Sequence, residues 1–133
     1  MIELFVKMAL GHFVGDFMAQ PKWMAMQKAD AGWNGAYVCT VHVILYTGIL
    51  AMFTGIWDPG VLLAIATPHW LIDRWSIAKV HLSNLGGRTP DNLNQDDPFD
   101  AAFTALMYTV VDATMHLLFL YGTAIMVARA GLL

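Results

Sequence analysis

Four apolar segments, each about as long as a bilayer requires, dominate this sequence. A membrane-spanning helix takes about 20 consecutive, mostly apolar residues. The segments cover about residues 2–20, 36–57, 61–80 and 98–129. Apolar residues make up 58% of the chain and charged residues 13%, against about 45–50% and about 25% in soluble domains. We therefore predict an all-α fold, a single transmembrane domain over residues 1–133 that forms an integral membrane four-helix bundle.

Turn-forming and helix-ending residues set the predicted boundaries. Pro21 ends the first helix, because proline disrupts a helix interior. The string Asp58-Pro59-Gly60 separates the second helix from the third, and Pro68 predicts a kink inside the third. Asp97 followed by Pro98 is typical of a helix start, with a capping side chain before a proline at the first position.

The basic residues predict which way the bundle lies in the membrane. Cytoplasmic loops of membrane proteins carry an excess of Lys and Arg. Five basic residues lie at one end of the predicted bundle: Lys22, Lys28, Arg74, Lys79 and Arg88. The other end has only Lys7 and Arg129. We expect both longer connections, including a polar loop over about residues 81–97, in the cytoplasm and both termini outside. Seven Lys and Arg residues with a net charge of −3 exclude a nucleic-acid partner.

Ionisable side chains stand inside the apolar segments, where they are expensive to bury and usually functional. Seven such residues lie at predicted membrane depth: His12, Asp16, His42, His69, Asp73, Asp112 and His116. Six of them form three His/Asp pairs, and each pair is four residues apart. Residues four apart share one face of a helix. Each pair can therefore direct both side chains into one cleft.

The order within the pairs matches an alternating bundle. The first and third helices run in the same direction, and both read His and then Asp. The fourth helix runs the opposite way, and its pair reads Asp112 and then His116. All three pairs thus place the histidine toward one membrane face and the aspartate toward the other. His42 in the second helix falls at a compatible depth.

Imidazole and carboxylate groups gathered in a dry bundle are typical ligands of a divalent transition metal. Pairs of ligands on facing helices also resemble the di-metal sites of soluble bundles. We predict one or two ions, with zinc favoured over manganese or iron. The predicted metal ligands are His12, Asp16, His69, Asp73 and His116. Asp112 and His42 would complete the shell or act as general base, and Gln20 would contact a substrate or a water molecule near the metal.

The same residues are also compatible with structural and transport roles. His and Asp four apart can hydrogen-bond across helices as structural contacts. Chains of Asp and His serve proton and cation pathways as well, and a four-helix protomer would then be expected to form a homo-oligomer. Arg74 either meets lipid phosphates or substrate beside Asp73, or serves as a plain cytoplasmic anchor.

The motifs together resemble a domain-of-unknown-function family of small bacterial and phage membrane proteins with four helices. The resemblance is carried by His12-x-x-x-Asp16-Phe17-x-x-Gln20, then by the single His42, and by two further pairs. Those pairs are His69-x-x-x-Asp73, followed by a basic residue, and Asp112-x-x-x-His116. Where members often have Gln after the last aspartate, this chain has Ala113. The resemblance implies insertion in a bacterial inner membrane, for a chain encoded by the cell or by a phage.

More distantly, the arrangement is similar to the predicted membrane-bound metal-dependent hydrolases. We therefore expect a metal-dependent hydrolase acting on a lipid or lipid-linked substrate that enters from the bilayer, through a metal-activated water. A small oligomeric transporter of protons or metal ions is the alternative, as is a structural membrane subunit with a polar packing layer.

Overall fold

The computed structural model describes residues 1–86 and 97–132, and most of these residues lie in helices. The helices are α1 (Ile2–Phe13), a π-helical turn (Val14–Met18), α2 (Lys22–Gln27), α3 (Gly32–Thr54), α4 (Pro59–Arg74), α5 (Ile77–Gly86) and α6 (Pro98–Arg129). No strand occurs in these two ranges. The prediction of an all-α fold is confirmed.

The four longer helices form a ring in which each packs against two neighbours. Helix α1 contacts α3 and α6, and α4 contacts the same two helices from the other side. Met1, Gly55 and Leu132 border one surface cavity, so both ends of the described chain lie at the same end of the bundle as the α3–α4 connection. The two short helices, α2 and α5, belong to the two longer connections between ring helices.

Two helices of the ring, rather than the four predicted, are long and apolar enough to cross a membrane. These are α3, with 23 residues, and α6, with 32. The predicted first span, 2–20, is an α-helix only to Phe13 and then widens into the π turn. The predicted second span, 36–57, begins earlier, at Gly32, and ends at Thr54 because Gly55 adopts a left-handed conformation there (φ 75°).

The predicted third span, 61–80, is divided into two helices. Helix α4 ends at Arg74, and Ser76 has a positive φ of 46°, which a continuous helix cannot contain. The backbone N–H of Ser76 donates to the carbonyl of Asp73 at 3.3 Å and closes a tight turn. Helix α5 then continues to Gly86, so the predicted loop over 81–97 begins with helix. The rest of that predicted loop, 87–96, lies outside the described residues.

The distribution of side chains is inverted relative to a soluble bundle. Large apolar residues of the ring helices face outward, and Ile44, Leu63 and Leu118 are about two-thirds exposed. Toward the end that carries the termini, an apolar core fills the ring, with Met8 and Leu50 fully buried. The rest of the interior contains polar groups, which include four histidines that are at most 2% exposed.

Candidate metal centre

Four imidazoles and two carboxylates meet inside the ring. They come from all four ring helices and from the π turn: His12, Asp16, His42, His69, Asp73 and His116. The imidazole rings follow one another in contact, with centroid distances of 5.1 Å from His42 to His69 and 4.2 Å from His69 to His116. His116 and His12 then stack at 5.3 Å. The structure thus brings together the five residues predicted as metal ligands, and His42 with them.

The closest contacts lie between α3, α4 and the π turn. The Nε2 atoms of His42 and His69 are 3.0 Å apart. Asp73 Oδ2 is 3.2 Å from each of them, and Asp16 Oδ1 is 3.3 Å from His42 and 3.5 Å from His69. Ligand atoms bound to tetrahedral zinc at about 2.0–2.1 Å are themselves about 3.3–3.4 Å apart. These separations therefore match those of atoms that share one small cation.

Three overlapping groups of side chains have ligand atoms within 4.8 Å of one another. They are His12–Asp16–His116, Asp16–His42–His69 and His69–Asp73–His116. Asp16, His69 and His116 each belong to two of the groups, and of these three the Asp16 carboxylate has two oxygens with which it could contact more than one ion. Buried His and Asp groups in this arrangement could hold a metal ion, as the spacing of the residues predicted.

The orientation of His116 is suitable for coordinating a metal ion through its Nε2 atom. Its Nδ1–H donates to the backbone carbonyl of Asp112 at 2.9 Å. This bond fixes the tautomer and leaves the lone pair on Nε2, as neighbouring groups commonly do for metal-bound histidines. Within the described parts of the chain, neither this Nε2 atom nor His12 Nε2, both buried, has a hydrogen-bond partner. Buried polar atoms without partners are costly, and a cation among them would remove that cost.

Lys28 is part of this site, although spacing along the sequence gave no sign of it. Its Nζ lies 2.8 Å from Asp73 Oδ2, and its side chain is 14% exposed. Burial by itself would lower the pKa of Lys28, but the carboxylates of Asp73 and Asp16 outweigh that effect and raise the pKa above its ordinary value. Lys28 is therefore a permanent positive charge beside the cluster, whereas the sequence had indicated only a cytoplasmic anchor.

Arg74 lies outside the cluster, and its two predicted roles, a contact with lipid phosphate or substrate and a plain cytoplasmic anchor, stay predictions. Its guanidinium donates to the backbone carbonyls of Ala29 and Gly32, both at 3.2 Å. These bonds hold the turn before α3 against the end of α4. Because Lys28 precedes the same turn, Arg74 helps to keep the lysine ammonium in place beside Asp73.

Tyr46 is a second residue of the site that the sequence did not single out. Its hydroxyl lies 3.3 Å from His12 Nδ1, and its ring stacks on that of His69 at 3.6 Å. Gly15 of the π turn also lies close to the ring, and a Cβ atom there would lie only 2.7 Å from Tyr46 Cδ2. A tyrosine in an apolar helix is usually a packing residue, so its identity alone carried no signal.

Gly15 is expected to be intolerant of a side chain. Replacing it with alanine should destabilise the protein by about 1–3 kcal/mol, because Tyr46 is held by His69 and cannot retreat from the new methyl group. Gly48→Ala is the matched control, since nothing lies within 4 Å of a Cβ there and alanine favours a helix. Unfolding of both variants in mixed detergent micelles measures the difference. Equal stability of the two would contradict this packing.

A cavity of about 240 Å³ lies beside the cluster, between the π turn and α6. His12 and Asp16 form part of its wall, and so do Asp112 and Gln20. The carboxylate of Asp112 stands at the edge of the cluster, with Oδ2 3.6 Å from His116 Nδ1. The cavity therefore offers a ligand direct access to two of the cluster side chains.

A sequence family described as protein of unknown function, DUF3307, matches residues 4–131 of the chain. The chain belongs to the DUF3307 family. The resemblance to a family of unknown function is thereby confirmed, while bacterial or phage origin and similarity to hydrolases stay predictions. The description of the DUF3307 family gives no activity for its members. No curated protein and no solved structure matches this DUF3307 chain.

Proposed function

We propose that this protein is an intramembrane metal-binding protein and that its metal serves the hydrolysis of a lipid or lipid-linked substrate. The observation that carries the proposal is the set of three overlapping His/Asp groups, with ligand atoms within 4.8 Å of one another. Six buried ionisable groups from four helices are expensive to gather. A function for the assembled side chains is the simplest reason why the protein bears this free-energy cost of burial.

The membrane part of the proposal is supported by the inverted side-chain distribution. Exposed apolar residues cover the ring helices, and the polar groups are inside. Helices α3 and α6 satisfy the length and hydropathy of membrane spans. Helix α4, at 16 residues, is about 24 Å long at 1.5 Å per residue. In this proposal α1 with its π turn and α4 complete an integral four-helix bundle, with both termini outside and the bilayer as its partner.

The ligand assignment follows from the distances. We assign His12, Asp16, His69, Asp73 and His116 to the metal, as the sequence predicted. His42 joins them, because its Nε2 lies 3.0–3.3 Å from atoms of three of these residues. Two imidazole-rich groups that share Asp16 accommodate one or two ions, and zinc suits the mixed nitrogen and oxygen donors better than manganese or iron.

Asp112 is the group best placed to move protons. When bound, a divalent cation polarises a carbonyl or phosphoryl group and lowers the pKa of water. Asp112 borders both the cluster and the cavity, so it can accept a proton from the attacking water and return it to the leaving oxygen or nitrogen. One water is consumed and one ester or amide bond is cleaved, with no other reactant.

The metal content of the purified protein tests this proposal. Elemental mass spectrometry of detergent-solubilised wild type should find one or two equivalents of a divalent metal. Two variants, the double variant His12→Ala/His69→Ala and the nearly isosteric Asp16→Asn, should each contain less than a tenth of the wild-type metal. His81→Ala is the control, because His81 is exposed on α5 and outside the three groups.

A wild type that stays empty after dialysis against zinc, manganese and iron would contradict the metal proposal. The chain of contacting imidazoles would then favour a proton pathway in a homo-oligomer, which proton flux in liposomes measures. If flux is also absent and His69→Ala lowers only stability, the cluster serves packing alone.

A further inference from the structure

We infer that the cavity between the π turn and α6 binds the phosphate-bearing head group of a membrane lipid, with Gln20 and Lys28 as its anchors. This inference rests on the proposed function and adds the substrate class. The cavity walls include His12 and Asp16 of the proposed metal site, and the other polar residues of the lining are Gln20, Lys28, Tyr108, Thr109 and Asp112. A head group held there lies against the reacting centre.

Gln20 offers a hydrogen-bond donor for which the described part of the chain supplies no acceptor. Its Nε2 atom is buried and has no hydrogen-bond partner among the described residues. An amide nitrogen has two N–H groups, and leaving them without an acceptor is unfavourable. Because Gln20 lines the cavity, an acceptor oxygen on a ligand would satisfy this donor.

Lys28 offers a charged donor on the same cavity. Its ammonium contacts Asp73 Oδ2 at 2.8 Å, which occupies one of three N–H groups. The remaining donors can reach a ligand in the cavity that Lys28 lines. An ammonium and an amide that converge on one space favour a ligand rich in acceptor oxygens, and a phosphate group is such a ligand.

The size and the apolar side of the cavity indicate an amphiphile. Its volume of about 240 Å³ is below the range of about 300–1,000 Å³ typical of sites that enclose a whole drug-sized ligand. A head group fits, whereas lipid tails must leave. Phe17 of the π turn, which is 55% exposed, and Ala113 of α6 are apolar residues of the lining. Acyl chains would pass between these residues into the bilayer.

Charge balance makes binding of such an anion depend on the metal. Three aspartates, Asp16, Asp73 and Asp112, lie around the cavity and cluster beside one lysine, Lys28. A divalent ion bound among these aspartates would add two positive charges next to the head group. We expect phosphate binding to the metal-loaded protein and not to the chelator-treated protein.

Calorimetric titration of the metal-loaded full-length protein in detergent tests the inference. The probe is a short-chain phosphonate analogue of phosphatidic acid, whose C–P bond is not hydrolysed. Lys28→Met should weaken its binding about 10- to 100-fold, as expected for loss of a charged hydrogen bond. Gln20→Glu, which replaces the donor with an acceptor, should weaken it at least about tenfold. Lys22→Met is the control, because Lys22 is an exposed lysine in the same connection.

Metal content measured on the same samples separates the possible failures. A metal-loaded wild type that does not bind the probe, or that binds it equally in Gln20→Glu, overturns the inference and leaves the proposed function standing. Inorganic phosphate that binds as tightly as the phosphonate lipid overturns the lipid part. A protein without metal removes the proposed function, and this inference with it.

Discussion

Replacing Asp73 with alanine is expected to destabilise the metal-free protein by about 3–5 kcal/mol, the cost of leaving one member of a buried ion pair without its partner. Lys28, with a side chain only 14% exposed, would lose the carboxylate that lies 2.8 Å from its ammonium. Two imidazoles, those of His42 and His69, would lose their 3.2 Å contacts with the same oxygen as well. Unfolding in mixed micelles with a chelator present measures the effect apart from metal binding.

A second substitution distinguishes loss of the ion pair from loss of packing. Asp73→Ala/Lys28→Met should recover most of the lost stability, because no unpaired charge remains. Glu3→Ala is the matched control, since the Glu3–Lys7 pair has a similar length of 2.7 Å but is exposed, and exposed ion pairs contribute little. A double variant as unstable as Asp73→Ala would show that the unpaired charge of Lys28 is not the cause of the lost stability.

Asp112→Asn is expected to separate catalysis from metal binding. The turnover of a short-chain lipid should fall by about 10²–10⁴-fold, the usual contribution of a general base. The metal content should stay at the wild-type level, because Asp112 belongs to none of the three ligand groups. The substrates to be tried are short-chain lipids with phosphoester or amide bonds. Release of their head groups or acyl chains measures the turnover.

Thr109→Val provides the comparison for Asp112. Thr109 lines the same cavity, but its hydroxyl donates to the carbonyl of Ala105 in its own helix, so turnover should change little. If Asp112→Asn loses metal and activity together, Asp112 is a ligand. If it loses neither, another group accepts the proton.

Much of the site follows from rules that relate residues within one helix. His12 and Asp16, or His69 and Asp73, share a face because they are four residues apart, and alternating helix directions bring such faces together. Apolar length predicted the helices in the same way. These rules concern residues within one helix. The sequence satisfies them at buried positions, where few other residue types would fit.

The parts that were not predicted depend on contacts between elements. Lys28 lies between α2 and α3. Its position beside Asp73 is set by the hydrogen bonds from Arg74 to the backbone of the turn before α3. The break at Ser76 has no proline or glycine beside it, and the single Gly15 of the π turn at Val14–Met18 does not by itself predict a π helix. Tertiary contacts outweigh local preference there, as commonly happens near functional sites.

Under the proposed function, the origin of the cluster in four separate helices would link metal supply to assembly. Membrane helices can insert one by one and associate afterwards, and no single helix of this ring holds a complete ligand group. An ion that binds only the assembled ring stabilises it by mass action, by about 4 kcal/mol at a thousand times its dissociation constant. In a metal-starved cell the helices would still insert, but the finished bundle would be scarcer and more open to membrane proteases. The abundance of this protein would then follow the metal status of its host.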